Sequence, residues 1–172
     1  MSLLTTLMLS ISLATPAAAP PVHPGIAVVV VRHAEKDDDD KRDPSLAGSG
    51  EARAQALAAT LAGSGLDRVI ATQFRRTRQT AAPAATAAGL DVESRPIDAG
   101  TAATYADDLA ADLRAMPAGS TVLVVGHSNT VPAIVQALSG QAAEAMPETE
   151  YDRYTLVLLD ADGGARVVTS RY

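Results

Sequence analysis

The sequence predicts an α/β domain: a three-layer α/β/α sandwich with a mostly parallel central sheet and antiparallel edge strands. Three observations lead there. The run Val28-Val29-Val30-Val31 is continuously apolar and β-branched, as expected of a strand covered on both faces. Segments of this kind alternate with helical patterns along the chain, which favours parallel pairing. Near the C-terminus, Tyr154 to Leu159 and Arg166 to Thr169 flank Asp160-Ala161-Asp162-Gly163-Gly164, a hairpin signal that adds antiparallel strands at one edge.

The elements follow in order. Ile26 to Val31 is the first strand. A helix from about Ser49 to Ala62 repeats Ala54, Leu57, Ala58 and Leu61 on one face, and Gly63-Ser64-Gly65 stops it. Arg68 to Thr72 is a second strand. A second helix spans about Arg76 to Ala88, with Pro83 expected to kink it or mark a restart. Val92 to Ile97 is a third strand, Thr101 to Met116 a third helix stopped by Pro117, Thr121 to Val125 a fourth strand, and Asn129 to Leu138 a fourth helix.

With 172 residues the chain can bury one sizeable core. Aromatic residues are 3% of it while hydrophobic residues reach 47%, so the core is built of small side chains. The formal charge of −6 argues against a general nucleic-acid surface, whose affinity comes from neutralising phosphates. The absence of cysteine excludes thiol catalysis, disulfides and zinc-thiolate or iron–sulfur sites. At the N-terminus, Leu3 to Leu13 is apolar and too short to span a bilayer, and small residues Ala14 to Ala19 follow. We read residues 1–19 as an export signal, 20–25 as a Pro-rich linker and 26–172 as the domain. Periplasmic or secreted placement follows, with no stable membrane anchor after signal removal. If the signal does not function, the protein is cytoplasmic. Asp37 to Asp43 is a charged loop. Its adjacent aspartates lack the alternating spacing of a calcium loop and are read as solvated.

Three strand ends carry the chemistry: Arg32-His33, then Thr72-Gln73-Phe74-Arg75-Arg76-Thr77-Arg78, then Gly126-His127-Ser128-Asn129-Thr130. In a parallel sheet these ends share one edge, where ligands of open α/β sheets collect. Two imidazoles, at least two guanidiniums and the amides opening two helices then converge, a set suited to a phosphoryl group. A neutral imidazole is a competent nucleophile, and neighbouring cations keep it neutral. No Walker-type glycine loop and no evident magnesium ligands accompany these ends, so arginine is expected to neutralise the phosphoryl charge and no cofactor is expected.

These segments resemble the histidine phosphatase superfamily, also called phosphoglycerate-mutase-like. Its Arg-His-Gly signature is similar to Arg32-His33-Ala34, and the alanine resembles the small phosphohistidine-phosphatase-like branch. Thr72 to Ala81 is similar to the family's Ser-x-x-x-Arg-Ala-x-x-Thr-Ala segment, Gly126 to Thr130 to the segment of its second histidine, and Leu46 to Ala56 to its Leu-Thr-x-x-Gly-x-x-Gln-Ala helix start. The resemblance covers about residues 26 to 160. It implies a phosphoglycerate mutase-like fold with His33 as the nucleophile that becomes phosphorylated. Arg32, Arg76 and His127 would hold the phosphoryl oxygens. Asp98, in Pro96-Ile97-Asp98-Ala99-Gly100, is the match to the family's proton donor after the third strand, with Glu35 and the pair Asp107-Asp108 as alternatives. The implied activity is metal-independent phosphatase chemistry on a phosphorylated small molecule, a phosphoprotein or a cell-envelope phosphate. A phosphoglycerate-type mutase and a non-catalytic phosphate-binding module are the alternatives.

Overall fold

The computed structural model describes residues 25–172; the expected export signal and all but the last residue of the linker lie outside them. The elements are β1 (Ile26–Arg32), α1 (Gly48–Thr60), β2 (Arg68–Ala71), α2 (Arg75–Ala88), β3 (Val92–Ser94), α3 (Tyr105–Arg114), β4 (Thr121–Gly126), α4 (Thr130–Ser139), β5 (Arg153–Leu159) and β6 (Ala165–Arg171). They form one six-stranded sheet in the order β3-β2-β4-β1-β5-β6. The first four of these are parallel neighbours, and β5 and β6 add antiparallel pairings.

Every residue of β1 is buried, and the pleat explains why an unbroken valine run suits it. Successive side chains point to opposite faces, so Val28 and Val30 enter one core with Leu109 and Leu113 of α3 and Ile134 and Leu138 of α4. Val29 and Val31 enter the other with Leu57 of α1 and Ala81, Ala84 and Ala85 of α2. Helices therefore cover both faces. Among the described residues no helix is long and apolar enough to cross a membrane.

Departures from expectation in α2, β3 and α3 have identifiable causes. The second helix continues unbroken through Pro83, because the buried Ala81 before it and Ala84 and Ala85 after it anchor both sides of the proline to the sheet. That packing offsets a penalty of about 3 kcal/mol. The third strand stops at Ser94. Past it, Gln73 takes over the ladder with its side chain: its amide group donates to Ile97 O at 2.8 Å and accepts from Ile97 N at 3.0 Å. The third helix starts at Tyr105 rather than Thr101 because Asp98 ties down the amides of Gly100 and Thr101 in a turn.

The loop between β1 and α1 is closed by a bridge between Lys36 and Leu46. Its base rests on a close approach: a Cβ placed on Gly50 would lie 2.1 Å from Glu35 O. Gly50→Ala must therefore push the loop off α1, at a cost of about 1–3 kcal/mol. Urea unfolding should register this as a lower midpoint with an unchanged slope.

Candidate active site

The pairing of β1 with β4 builds the site. Arg32 stands opposite Gly126, and the ladder continues one bond further, His33 N to Gly126 O at 2.9 Å. The next residues on the two strands are His33 and His127, whose rings meet edge to face with centroids 5.4 Å apart. The β2–α2 turn adds Arg76, whose Nη2 faces His127 Nδ1 at 3.5 Å. Its guanidinium stacks on Phe74 at 4.4 Å from the ring centroid. These groups line one cavity of about 500 Å³, within the range of small-molecule sites.

The protonation pattern follows from the partners. His33 Nδ1 lies 2.8 Å from Ala34 O. A carbonyl only accepts, so Nδ1 carries the proton and Nε2 keeps its lone pair. His127 has the opposite tautomer: its Nδ1 faces a guanidinium, which only donates, so Nε2 donates to Thr72 Oγ1 at 2.9 Å. Thr72 is itself bonded to Thr77 at 2.9 Å. Both His127 nitrogens are thus engaged, and a ligand oxygen reaching this ring must exchange for one of its partners.

Burial, with Arg32, Arg76 and Lys36 as positive neighbours, lowers the pKa of His33 from 6.5 to about 4. Burial, Arg76, His33 and Arg32 lower that of His127 from 6.5 to about 3. Both rings are neutral near pH 7.

Arg32 is 2% exposed and is held by the segment between α4 and β5. Its Nη1 donates to Pro147 O at 3.0 Å and Glu150 O at 3.1 Å, and its Nη2 to Glu148 Oε2 at 2.7 Å. Its guanidinium lies 4.2 Å from the Tyr151 ring centroid. Its Nε, also buried, has no protein partner.

The sequence-predicted residues are not all brought together alike. Arg32, His33, Arg76 and His127 share the cavity, and Asp98 also lines it. The Asp98 carboxylate, however, accepts from Gly100 N at 2.8 Å, Thr101 N at 3.0 Å and Thr101 Oγ1 at 3.2 Å, which lowers its pKa. Such bonds favour the ionised form, the opposite of what a proton donor needs. Glu35 turns away into a bidentate pair with Arg53, and neither Asp107 nor Asp108 lines the cavity. The amides expected to cradle an anion are partly used: Arg75 N donates to Asp43 Oδ1 at 2.7 Å, and Thr130 and Val131 turn back to His127 O. The loop aspartates serve as caps and ion-pair partners, and no cluster suited to a metal ion occurs among the described residues.

Glu148 escaped sequence reasoning. It bonds both Arg32 and Ser128 and lines the cavity, yet it sits in an irregular segment with no periodicity or motif to mark it.

The α/β sandwich brings two neutral imidazoles and two guanidiniums to the strand ends, the set that the resemblance to histidine phosphatases implies. Residues 28–97 match the family model described as Histidine phosphatase superfamily (branch 1). None of the curated protein sequences matches the chain. Among solved structures, the fold resembles the protein histidine phosphatase SixA complexed with tungstate at 22% identity and TM-score 0.61, covering 84% of this chain and 96% of that one. It resembles the structure named for phosphohistidine phosphatase SixA from Nakamurella multipartitia at 25% identity and TM-score 0.59, covering 88% and 98%. Phosphoserine phosphatase from Entamoeba histolytica, in complex with 3-phosphoglyceric acid, is similar at 13% identity and TM-score 0.66, covering 86% and 97%. The family match over residues 28–97 and the shared fold make the chain similar to the histidine phosphatase superfamily and to its small phosphohistidine-phosphatase-like structures.

Acid stability reports the buried imidazoles. Between their native pKa values and 6.5, the unfolded chain binds more protons than the native one, so stability falls as the pH is lowered through that window. Urea midpoints measured from about pH 7 to about pH 4.5 should decline, and the decline should flatten in the double variant His33→Gln, His127→Gln. An equally steep decline in that variant would assign it to other groups.

Proposed function

We propose that the protein is a metal-independent phosphatase that hydrolyses phosphomonoester or phosphoramidate groups through a phosphohistidine on His33. The observation that carries this reading is the His33 tautomer, with Nδ1–H tied to Ala34 O and an unprotonated Nε2 in a cavity shared with Arg32, Arg76 and His127.

The Nε2 lone pair attacks phosphorus as the bond to the leaving group breaks. Arg76 and Arg32 receive the phosphoryl oxygens, the buried Nε of Arg32 coming within reach once Glu148 leaves its guanidinium, and they supply the charge neutralisation that a metal provides elsewhere. His127 adds a donor once it exchanges a present contact. Water then cleaves the phosphorus–nitrogen bond, releasing inorganic phosphate and restoring the imidazole.

The leaving group needs a proton unless it is a good one. Glu148 is the donor we propose, although its bonds to Ser128 and Arg32 hold its pKa low in the free protein, as the turn does for Asp98. It lies on Arg32 and Ser128, where an incoming phosphoryl group would displace it. Beside a dianion its carboxyl would then take up a proton, since like charge raises a carboxylate pKa. The apolar run Leu3 to Leu13, as an export signal, would put the substrate outside the cytoplasm; N-terminal sequencing of exported protein would find Met1 removed.

Turnover of p-nitrophenyl phosphate tests the core of the reading. His33→Ala should lose at least about 1,000-fold, while EDTA should leave the wild type active. A variant that keeps its activity would overturn the nucleophile, and loss with EDTA the metal independence. Interconversion of phosphoglycerates without net phosphate release would instead favour a mutase, and tight phosphate binding without turnover a binding module. Glu148→Gln should slow an alkyl phosphate by about 100-fold and p-nitrophenyl phosphate far less. If Asp98→Asn shows that pattern instead, Asp98 is the donor.

A further inference from the structure

The segment that grips Arg32 has little structure of its own. Glu148 and the carbonyls of Pro147 and Glu150 hold the guanidinium. Yet among the described residues the one backbone bond closed within residues 141–152 runs from Glu150 N to Pro147 O. Met146 anchors the middle of the segment in the core. Its two ends are tied by Arg153, the first residue of β5. The register that pairs Val31 with Tyr154 brings Arg153 opposite Arg32 one position further, on the same face of the sheet. Its Nη1 donates to Glu144 O at 3.0 Å and its Nη2 to Ala145 O at 3.1 Å. Its Nε and Nη2 meet the two Glu150 carboxylate oxygens at 2.9 and 2.6 Å. One guanidinium thus pinches together residues 144–145 and residue 150. The Arg153 and Glu150 side chains are 12% and 11% exposed, so water screens the pair weakly. Arg171 also reaches Glu150, at 3.3 Å, but from a side chain that is 64% exposed.

We propose that Arg153 is a positioning residue for the phosphoryl seat: by pinching residues 144–150 it sets where the Arg32 guanidinium stands. This role rests on Arg32 being a phosphoryl ligand, as in the phosphatase reading, and deepens it. Glu150 joins the two guanidiniums, its carbonyl on Arg32 and its carboxylate on Arg153. Arg153 does not line the cavity, so it acts through the segment and not on the ligand. A site is only as well placed as the bonds that support it, and an irregular segment has few of its own to offer. Charge acting through space has a different signature. It would make Arg153→Met weaken anion binding and Glu150→Gln strengthen it, because the two changes remove opposite charges. Opening the pinch from either end instead weakens binding both times.

Orthophosphate is the probe, and calorimetry reads its affinity. Arg153→Met and Glu150→Gln should each weaken it about 10-fold. In an Arg32→Lys background neither change should weaken it further, because the residue through which both act has been altered. A merely structural role would instead add the same loss in either background. Glu150→Gln keeps the side-chain volume and carries the test alone if Arg153→Met fails to fold. Unchanged affinity, effects of opposite sign, or equal losses in both backgrounds would each overturn the positioning role. Turnover of p-nitrophenyl phosphate separates this from the underlying reading. The coupled loss of phosphate affinity in a protein whose wild type turns over no ester would overturn the phosphatase and keep the positioning role. Turnover by the wild type with unchanged phosphate affinity in both variants would do the reverse. A wild type that does not bind orthophosphate would remove Arg32 as a phosphoryl ligand and the positioning role with it.

Discussion

The site depends on β1 and β4 being immediate parallel neighbours in register. Arg32 opposite Gly126, extended by the bond from His33 N to Gly126 O, brings the two imidazoles within ring contact. A strand inserted between them would roughly double the spacing of about 4.8 Å between strands and separate the rings. What holds the register is burial on both faces: Val28 and Val30 lie under one helical layer and Val29 and Val31 under the other, so a slip by one residue would exchange every contact at once. Gly126 belongs to the same constraint, since a Cβ there would lie 2.7 Å from Thr130 Oγ1, the atom that receives His127 N at 2.8 Å.

That arrangement places positive and titratable groups in a small buried volume, and burial reconciles them. Two guanidiniums beside two imidazolium rings would repel strongly; beside two neutral rings they do not. Desolvation and the neighbouring cations act in the same direction on His33 and His127. The features suited to an anion therefore also keep the Nε2 lone pair of His33 free. Hydrogen bonding then divides the labour, one ring held by a carbonyl and the other by a hydroxyl and a guanidinium.

Local patterns made much of this legible. The valine run, the glycine stops and the two strand-end histidines each declare themselves within a few residues, and strand alternation implied that their ends share an edge. What was not legible depends on distant partners. Pro83 remains inside one helix because buried alanines on either side of it anchor to the sheet. The third strand ends early because a glutamine side chain from another element replaces its ladder. Glu148 meets Arg32 across 116 positions, and no periodicity in its own segment points there. Asp98, read as the proton donor, lines the cavity, but the bonds that hold its carboxylate depend on the turn that displaces the start of α3.

The Nε of Arg32 carries a last consequence. A buried donor without a partner costs about 1–3 kcal/mol, which, in the proposed cycle, an oxyanion that displaces Glu148 from the same guanidinium recovers. That recovery does not depend on what the fourth substituent of the tetrahedral anion is. Under the proposed reaction, orthophosphate is held by the same donor as the ester it came from, so product inhibition is built into the grip that recruits substrate. The protein would be steadiest, and slowest, where phosphate is already plentiful.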